Sequence, residues 1–135
     1  MGSLLELANM EVPEPKAVPE GEYPLQIIKA DFRNAAEGTA YSTGREGYDA
    51  LIKIPNDENA ALFYHRLYIN KDGDSEKAVQ FFAREVQAFF AAFDITDDDP
   101  MTWVGKTADA ILELEPGTEE YPEDKNKIKR FVKRA

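Results

Sequence analysis

Tyr64, Arg66 and Tyr68 stand two residues apart. In a strand, that spacing puts all three on one face, with a guanidinium between two phenol rings. Flat rings accept stacked bases and a guanidinium pairs with phosphate, so the set offers the chemistry of a surface for unpaired nucleic acid. Residues 125–134 carry six basic side chains and no acidic one, interleaved with Ile128, Phe131 and Val132. Charges alternating with β-branched and aromatic residues predict a strand with one wet, cationic face. Lys125, Lys127 and Lys129 belong to it, and Tyr121 lies in the loop before it. Tyr48 and Lys53 sit on a second candidate strand, and Arg33, Tyr41 and Arg45 lie in or beside a polar loop. The candidate binding residues are therefore Arg33, Tyr41, Arg45, Tyr48, Lys53, Tyr64, Arg66, Tyr68, Tyr121, Lys125, Lys127 and Lys129. A plainer structural role competes for some of them: Tyr64 and Tyr68 as core-edge tyrosines, with Arg66 paired to Asp49.

The elements that must position these side chains follow from periodicity. Residues 1–20 hold Pro13, Pro15 and Pro19 among glutamates and read as a flexible N-terminal segment. Within it Leu4, Leu5, Leu7 and Met10 form an apolar patch that could dock on a partner or on the body. Residues 21–135 read as one domain. In its first strand Tyr23, Leu25 and Ile27 alternate, then Ile28, Ala30 and Phe32 alternate on the shifted phase, the signature of a β-bulge. Residues 48–54 and 62–69 are the second and third strands. In the third, Phe63, His65, Leu67 and Ile69 share the face opposite Tyr64. Asp74 or Ser75 caps a helix reaching about Phe93, with Val79, Phe82, Val86, Phe89 or Phe90, and Phe93 at core-packing spacing. Residues 103–115 are the fourth strand, with Ala108, Ala110, Leu112 and Leu114 inward, and the basic run is the fifth. The expected fold is mainly β: a five-stranded OB-fold barrel with one α-helix between strands 3 and 4. An open α+β sandwich is the alternative that the same order allows.

Composition narrows the function. The chain has 135 residues, no cysteine and a net charge of −10. Disulfides and thiol chemistry are excluded. No apolar run approaches the roughly 20 residues of a membrane span, and no secretion signal opens the chain, so a cytoplasmic protein without membrane association is expected. The net charge opposes polyanions, but its distribution matters more. Residues 94–124 carry −10, and residues 125–135 carry +6. Part of that basic end could pair with the acidic segment before it. Chemistry on a substrate finds little support. His65 is the single histidine, and neither a phosphate-cradling glycine loop nor a Ser/His/Asp set appears. Asp97-Asp98-Asp99 reads as a solvated turn rather than a cation site. No cofactor or metal is called for.

Several stretches together resemble a family. They are Pro19-Glu20-Gly21-Glu22-Tyr23 entering the first strand and Phe63-Tyr64-His65-Arg66-Leu67-Tyr68-Ile69 before the helix. Trp103-Val104-Gly105-Lys106, Tyr121 and Asn126-Lys127-Ile128-Lys129-Arg130-Phe131 complete the set. In order and spacing the chain resembles a phage family catalogued as a domain of unknown function. Its members look like OB-fold single-stranded DNA-binding proteins and sit beside recombination and replication genes. The resemblance implies a non-enzymatic single-stranded DNA-binding protein of phage replication or recombination, working in the host cytoplasm with little sequence preference. A replication or recombination protein is the further partner it implies, and homo-oligomerisation stays open. The alternative is a protein-binding OB module, an adaptor for such a partner. A DNA mimic, given the acidic composition, is a third reading.

Overall fold

A computed structural model describes residues 3–33 and 45–132. The element order is α1 (Leu4–Ala8), β1 (Gly21–Arg33), β2 (Gly47–Lys53), β3 (Phe63–Tyr68), α2 (Glu76–Phe93), a 3-10 turn (Pro100–Trp103), β4 (Thr107–Glu115) and β5 (Lys125–Phe131). The five strands form one antiparallel sheet in the order β3-β2-β1-β4-β5. Its two ends, β3 and β5, approach each other and nearly close the sheet into a barrel. Strand order and the helix between β3 and β4 are consistent with an OB-fold.

β1 makes this closure geometrically workable. Residues 21–26 pair with β4 and residues 26–33 pair with β2. The register slips between Ile27 and Lys29, so Ile28 is the extra residue of a bulge. A bulge bends and twists a strand, which lets one strand serve both halves of a barrel. The shifted inward phase carries through Ala30 and stops there: Phe32 is 47% exposed, whereas Arg33 is buried. Asp49 explains the reversal, because its carboxylate neutralises the Arg33 guanidinium inside the protein.

The inner faces of β1, β2 and β4 meet in a core of Leu25, Ile27, Ile52, Ala110 and Leu112, all sealed from solvent. α2 covers one end with Phe89 and Phe93, and Trp103 packs edge-on against Phe89 at 5.6 Å. Full burial of a large apolar side chain is worth about 1.5–3 kcal/mol, so this aromatic lid anchors the helix to the barrel. Ser75 caps α2 by accepting the Ala78 N–H, and Asp94 ends it in a left-handed turn with φ 55°. Trp103 belongs to the 3-10 turn and not to the fourth strand, which begins at Thr107. Its indole Nε1 donates to the Asp97 carbonyl at 2.8 Å, an anchor that a strand position would not allow. In the same turn Asp97 accepts the Asp99 N–H, and Asp99 accepts the Met101 N–H. Two of the three consecutive aspartates thus act as backbone caps.

The segment ahead of β1 is stitched to the barrel at two points. Lys16 makes a parallel bridge to Ala60. Val18 is buried against Asn126, whose side-chain amide accepts the Val18 N–H at 2.8 Å and donates to the Val18 carbonyl at 2.9 Å. An amide side chain here replaces a strand partner, satisfying both backbone groups at the β3–β5 seam.

Candidate nucleic-acid interface

The seam between β3 and β5 opens outward as a groove of about 640 Å³. One wall is Leu62, Tyr64 and Arg66, from β3 and its lead-in; the other is Tyr121, Lys125 and Lys127. The alternation of β3 turns Phe63 and Leu67 inward, so Tyr64 and Arg66 must point out. Tyr64 is 50% exposed and Tyr121 is 45% exposed. Each ring carries its own cation: Arg66 lies over Tyr64 at 5.4 Å, and Lys125 lies over Tyr121 at 5.3 Å. Arg66 also reaches Asp49, with its Nε 3.6 Å from the carboxylate. The pairing with Asp49 and the position beside Tyr64 thus coexist.

Tyr121 is held by the loop between β4 and β5. The Thr118 N–H donates to the Tyr121 carbonyl at 2.7 Å, and the Tyr121 N–H donates to Thr118 Oγ1 at 3.1 Å. Gly117 makes this turn tight, since a Cβ there would collide with the Pro122 carbonyl. The loop also brings acid. Glu115, Glu123 and Asp124 line the groove and equal Arg66, Lys125 and Lys127 in number. The β4–β5 register sets Glu113 opposite Lys127 and Glu115 opposite Lys125. Sequence reasoning missed Leu62 as a groove residue. The acidic residues before the loop face the basic residues after it, the pairing that the charge distribution allowed.

The remaining predicted residues lie elsewhere. Arg33 is buried, ion-paired to Asp49 and stacked on the Tyr68 ring at 5.1 Å. Arg45 makes a two-pronged pair with Asp74 at 2.6 and 2.9 Å and covers the Phe82 ring at 4.7 Å. That bond, with the Lys71 N–H donating to the same carboxylate, lowers Asp74 to a pKa of about 2 and raises Arg45. Tyr68 shares the outer face of β3 but rests against Phe82 at 6.1 Å and lies outside the groove. Tyr48 is wedged between Phe32 and Trp103. Lys53 sits on the outer face of β2 opposite Gln26. Tyr41 is outside the described residues. Lys129 is the bulged residue of β5, where the register slips between Leu112–Ile128 and Ile111–Arg130, and it lines a different groove beside α2. The groove therefore gathers Tyr64, Arg66, Tyr121, Lys125 and Lys127 out of the predicted set.

His65 points the other way, into the barrel. Its ring stacks on Phe89 at 5.4 Å, and among the described residues its Nε2 is buried without a hydrogen-bond partner. Burial disfavours the charged ring and lowers its pKa to about 4, from an unfolded value of 6.5. Above the unfolded value both states are neutral. As pH falls from 6.5 to 4 the unfolded chain takes up the proton first, so stability is lost, by on the order of 3 kcal/mol in full. Thermal unfolding of the wild type between pH 7 and 4.5 should show this loss, and His65→Phe should flatten it. Equal slopes for the two proteins would contradict a neutral buried imidazole.

These features define a mainly β, near-closed five-stranded barrel of OB type with an aromatic and mixed-charge groove at its β3–β5 seam. Compared with known proteins, the chain matches no family model and no curated sequence. Among the described residues, no helix is long and apolar enough to cross a membrane.

Proposed function

We propose that this protein binds single-stranded DNA without strong sequence preference, in phage replication or recombination. One observation carries the reading: Tyr64 and Tyr121 present half-exposed rings on opposite walls of one groove, each paired with a cation. Bases stack on the two rings, and phosphates between them meet Lys125 and Lys127. Every base has a π-face, so such a site tolerates any sequence. A duplex hides those faces within its own stack and is disfavoured. The phage setting rests on the sequence resemblance, and the proposed cellular site is the host cytoplasm.

The salt dependence of binding tests the phosphate contacts. Changing Lys125 and Lys127 together to glutamine should reduce the slope of log K against log salt by about 1.4, since each contact to a single strand contributes roughly 0.7. Lys129→Gln, outside the groove, should leave the slope unchanged. A fluorescence titration with a dT oligomer across a salt series reads both. If the Lys125/Lys127 double variant keeps the wild-type slope, the phosphate path lies elsewhere.

The balance of three carboxylates against three cations along the groove favours a second reading. A protein-binding OB module would use that mixed charge to recognise a replication or recombination partner. Absence of single-strand binding at low salt would move this reading ahead.

A further inference from the structure

A second groove, of about 600 Å³, runs between α2 and β5. Ala88, Ala91 and Ala92 leave a trough along the helix, and Ile128, Phe131 and Val132 form the facing wall. His65 closes the inner end, its buried Nε2 without a hydrogen-bond partner among the described residues. Its volume lies in the roughly 300–1,000 Å³ range of apolar sites that enclose a ligand. Lys129 and Arg130 make its rim basic, with Glu85 as the acidic group facing them. Elsewhere on the molecule α1 is uncovered: Leu4, Leu5, Leu7 and Met10 are 86%, 73%, 60% and 60% exposed. The helix is nonetheless capped at both ends. Ser3 accepts the Glu6 N–H, and the Asn9 side chain donates to the Leu5 carbonyl. A five-residue helix is far below the length that persists alone in water, so its apolar face needs a cover.

We propose that the α2–β5 groove receives the N-terminal apolar helix of a second copy of this chain. The two surfaces match in polarity and charge. The arm supplies Leu4, Leu7 and Met10 to an alanine-floored trough, and Glu6, Glu11 and Glu14 to a rim of Lys129 and Arg130. No residue of α1 is buried on its own barrel. Pro13 and Pro15 favour an extended spacer between α1 and the anchor at Lys16, rising about 3.1 Å per residue, which gives the helix reach toward a second copy. Exchange of arms by two copies makes a closed, two-fold pair in which each groove is filled once. The groove shares no lining residue with the β3–β5 groove that holds Tyr64 and Tyr121.

The chain lacks cysteine, which makes a cross-linking test clean. Leu7→Cys and Ala91→Cys are made separately, mixed, and oxidised; Leu7→Cys mixed with Lys29→Cys, exposed on β1, is the control. A disulfide-linked heterodimer is expected from the first mixture, well above the control. Light scattering of the uncrosslinked wild type should give twice the 15.2 kDa chain mass, falling to one chain mass in Leu4→Glu/Leu7→Glu and in Ala91→Phe. Circular dichroism checks that both variants stay folded; Ala91 and the two leucines are exposed, so neither change opens the core. Three outcomes would overturn the proposal. They are a monomeric wild type at hundreds of micromolar, cross-linking no greater than in the control, and a Leu7→Cys/Ala91→Cys chain that closes on itself as a monomer. None of these readouts involves DNA, so they stand apart from the binding titrations.

Discussion

Tyr64→Ala combined with Tyr121→Ala is expected to weaken dT-oligomer binding by roughly 2–6 kcal/mol, since each lost stack removes about 1–3 kcal/mol. The fold should not notice. Both rings are about half exposed, and neither belongs to the core. Loss of binding with an unchanged unfolding midpoint would therefore report the groove itself. Arg66 and Lys125 would lose the rings beneath them, so part of the effect comes from cations no longer held in place. Tyr68→Ala is the informative comparison. Its ring packs on Phe82 and supports Arg33, so it should lower stability more than it lowers binding. If the Tyr64/Tyr121 variant stays folded and binds as the wild type does, the groove is not the platform.

Asp49→Ala should destabilise the barrel by about 3–5 kcal/mol, the range for removing one member of a buried ion pair. Arg33 is 8% exposed, and Asp49 is its counter-ion among the described residues. Its Nε and Nη2 have no hydrogen-bond partner among the described residues, which leaves the pair little reserve. Arg66 would lose the same carboxylate. Removing both charges, as Arg33→Met with Asp49→Leu, should recover much of the loss, because apolar residues of similar size often replace a buried pair without penalty. Urea unfolding of the three proteins decides it. An Asp49→Ala midpoint within error of the wild type would mean that water reaches Arg33.

How far the chain could be read in advance depended on the range of the determinant. Strand phases are local, and they came through: Phe63 and Leu67 inward against Tyr64 outward, Ala108 to Leu112 inward, and the bulge at Ile28. The Ser75 cap is equally local. Trp103 was misplaced because aromatic residues favour strands, whereas its indole is claimed by the Asp97 carbonyl in a short turn. The site was only partly legible, since cations are assigned by partners distant in sequence. Arg33 belongs to Asp49, 16 residues away, and Arg45 to Asp74, 29 residues away. No periodicity announces such pairs. Lys129 left the line of Lys125 and Lys127 through a bulge in β5, and one slipped register is invisible in a run of alternating charges. Tyr64 and Tyr121 stay outward, whereas Tyr48 and Tyr68 rest against aromatic rings.

The most direct measurement is a fluorescence titration of the full chain with matched single- and double-stranded oligonucleotides at low and moderate salt. Tight binding of the single strand at low salt, weakening as salt rises and exceeding duplex binding throughout, is the predicted result. Equal affinity for the two forms, or none for the single strand at low salt, would contradict it.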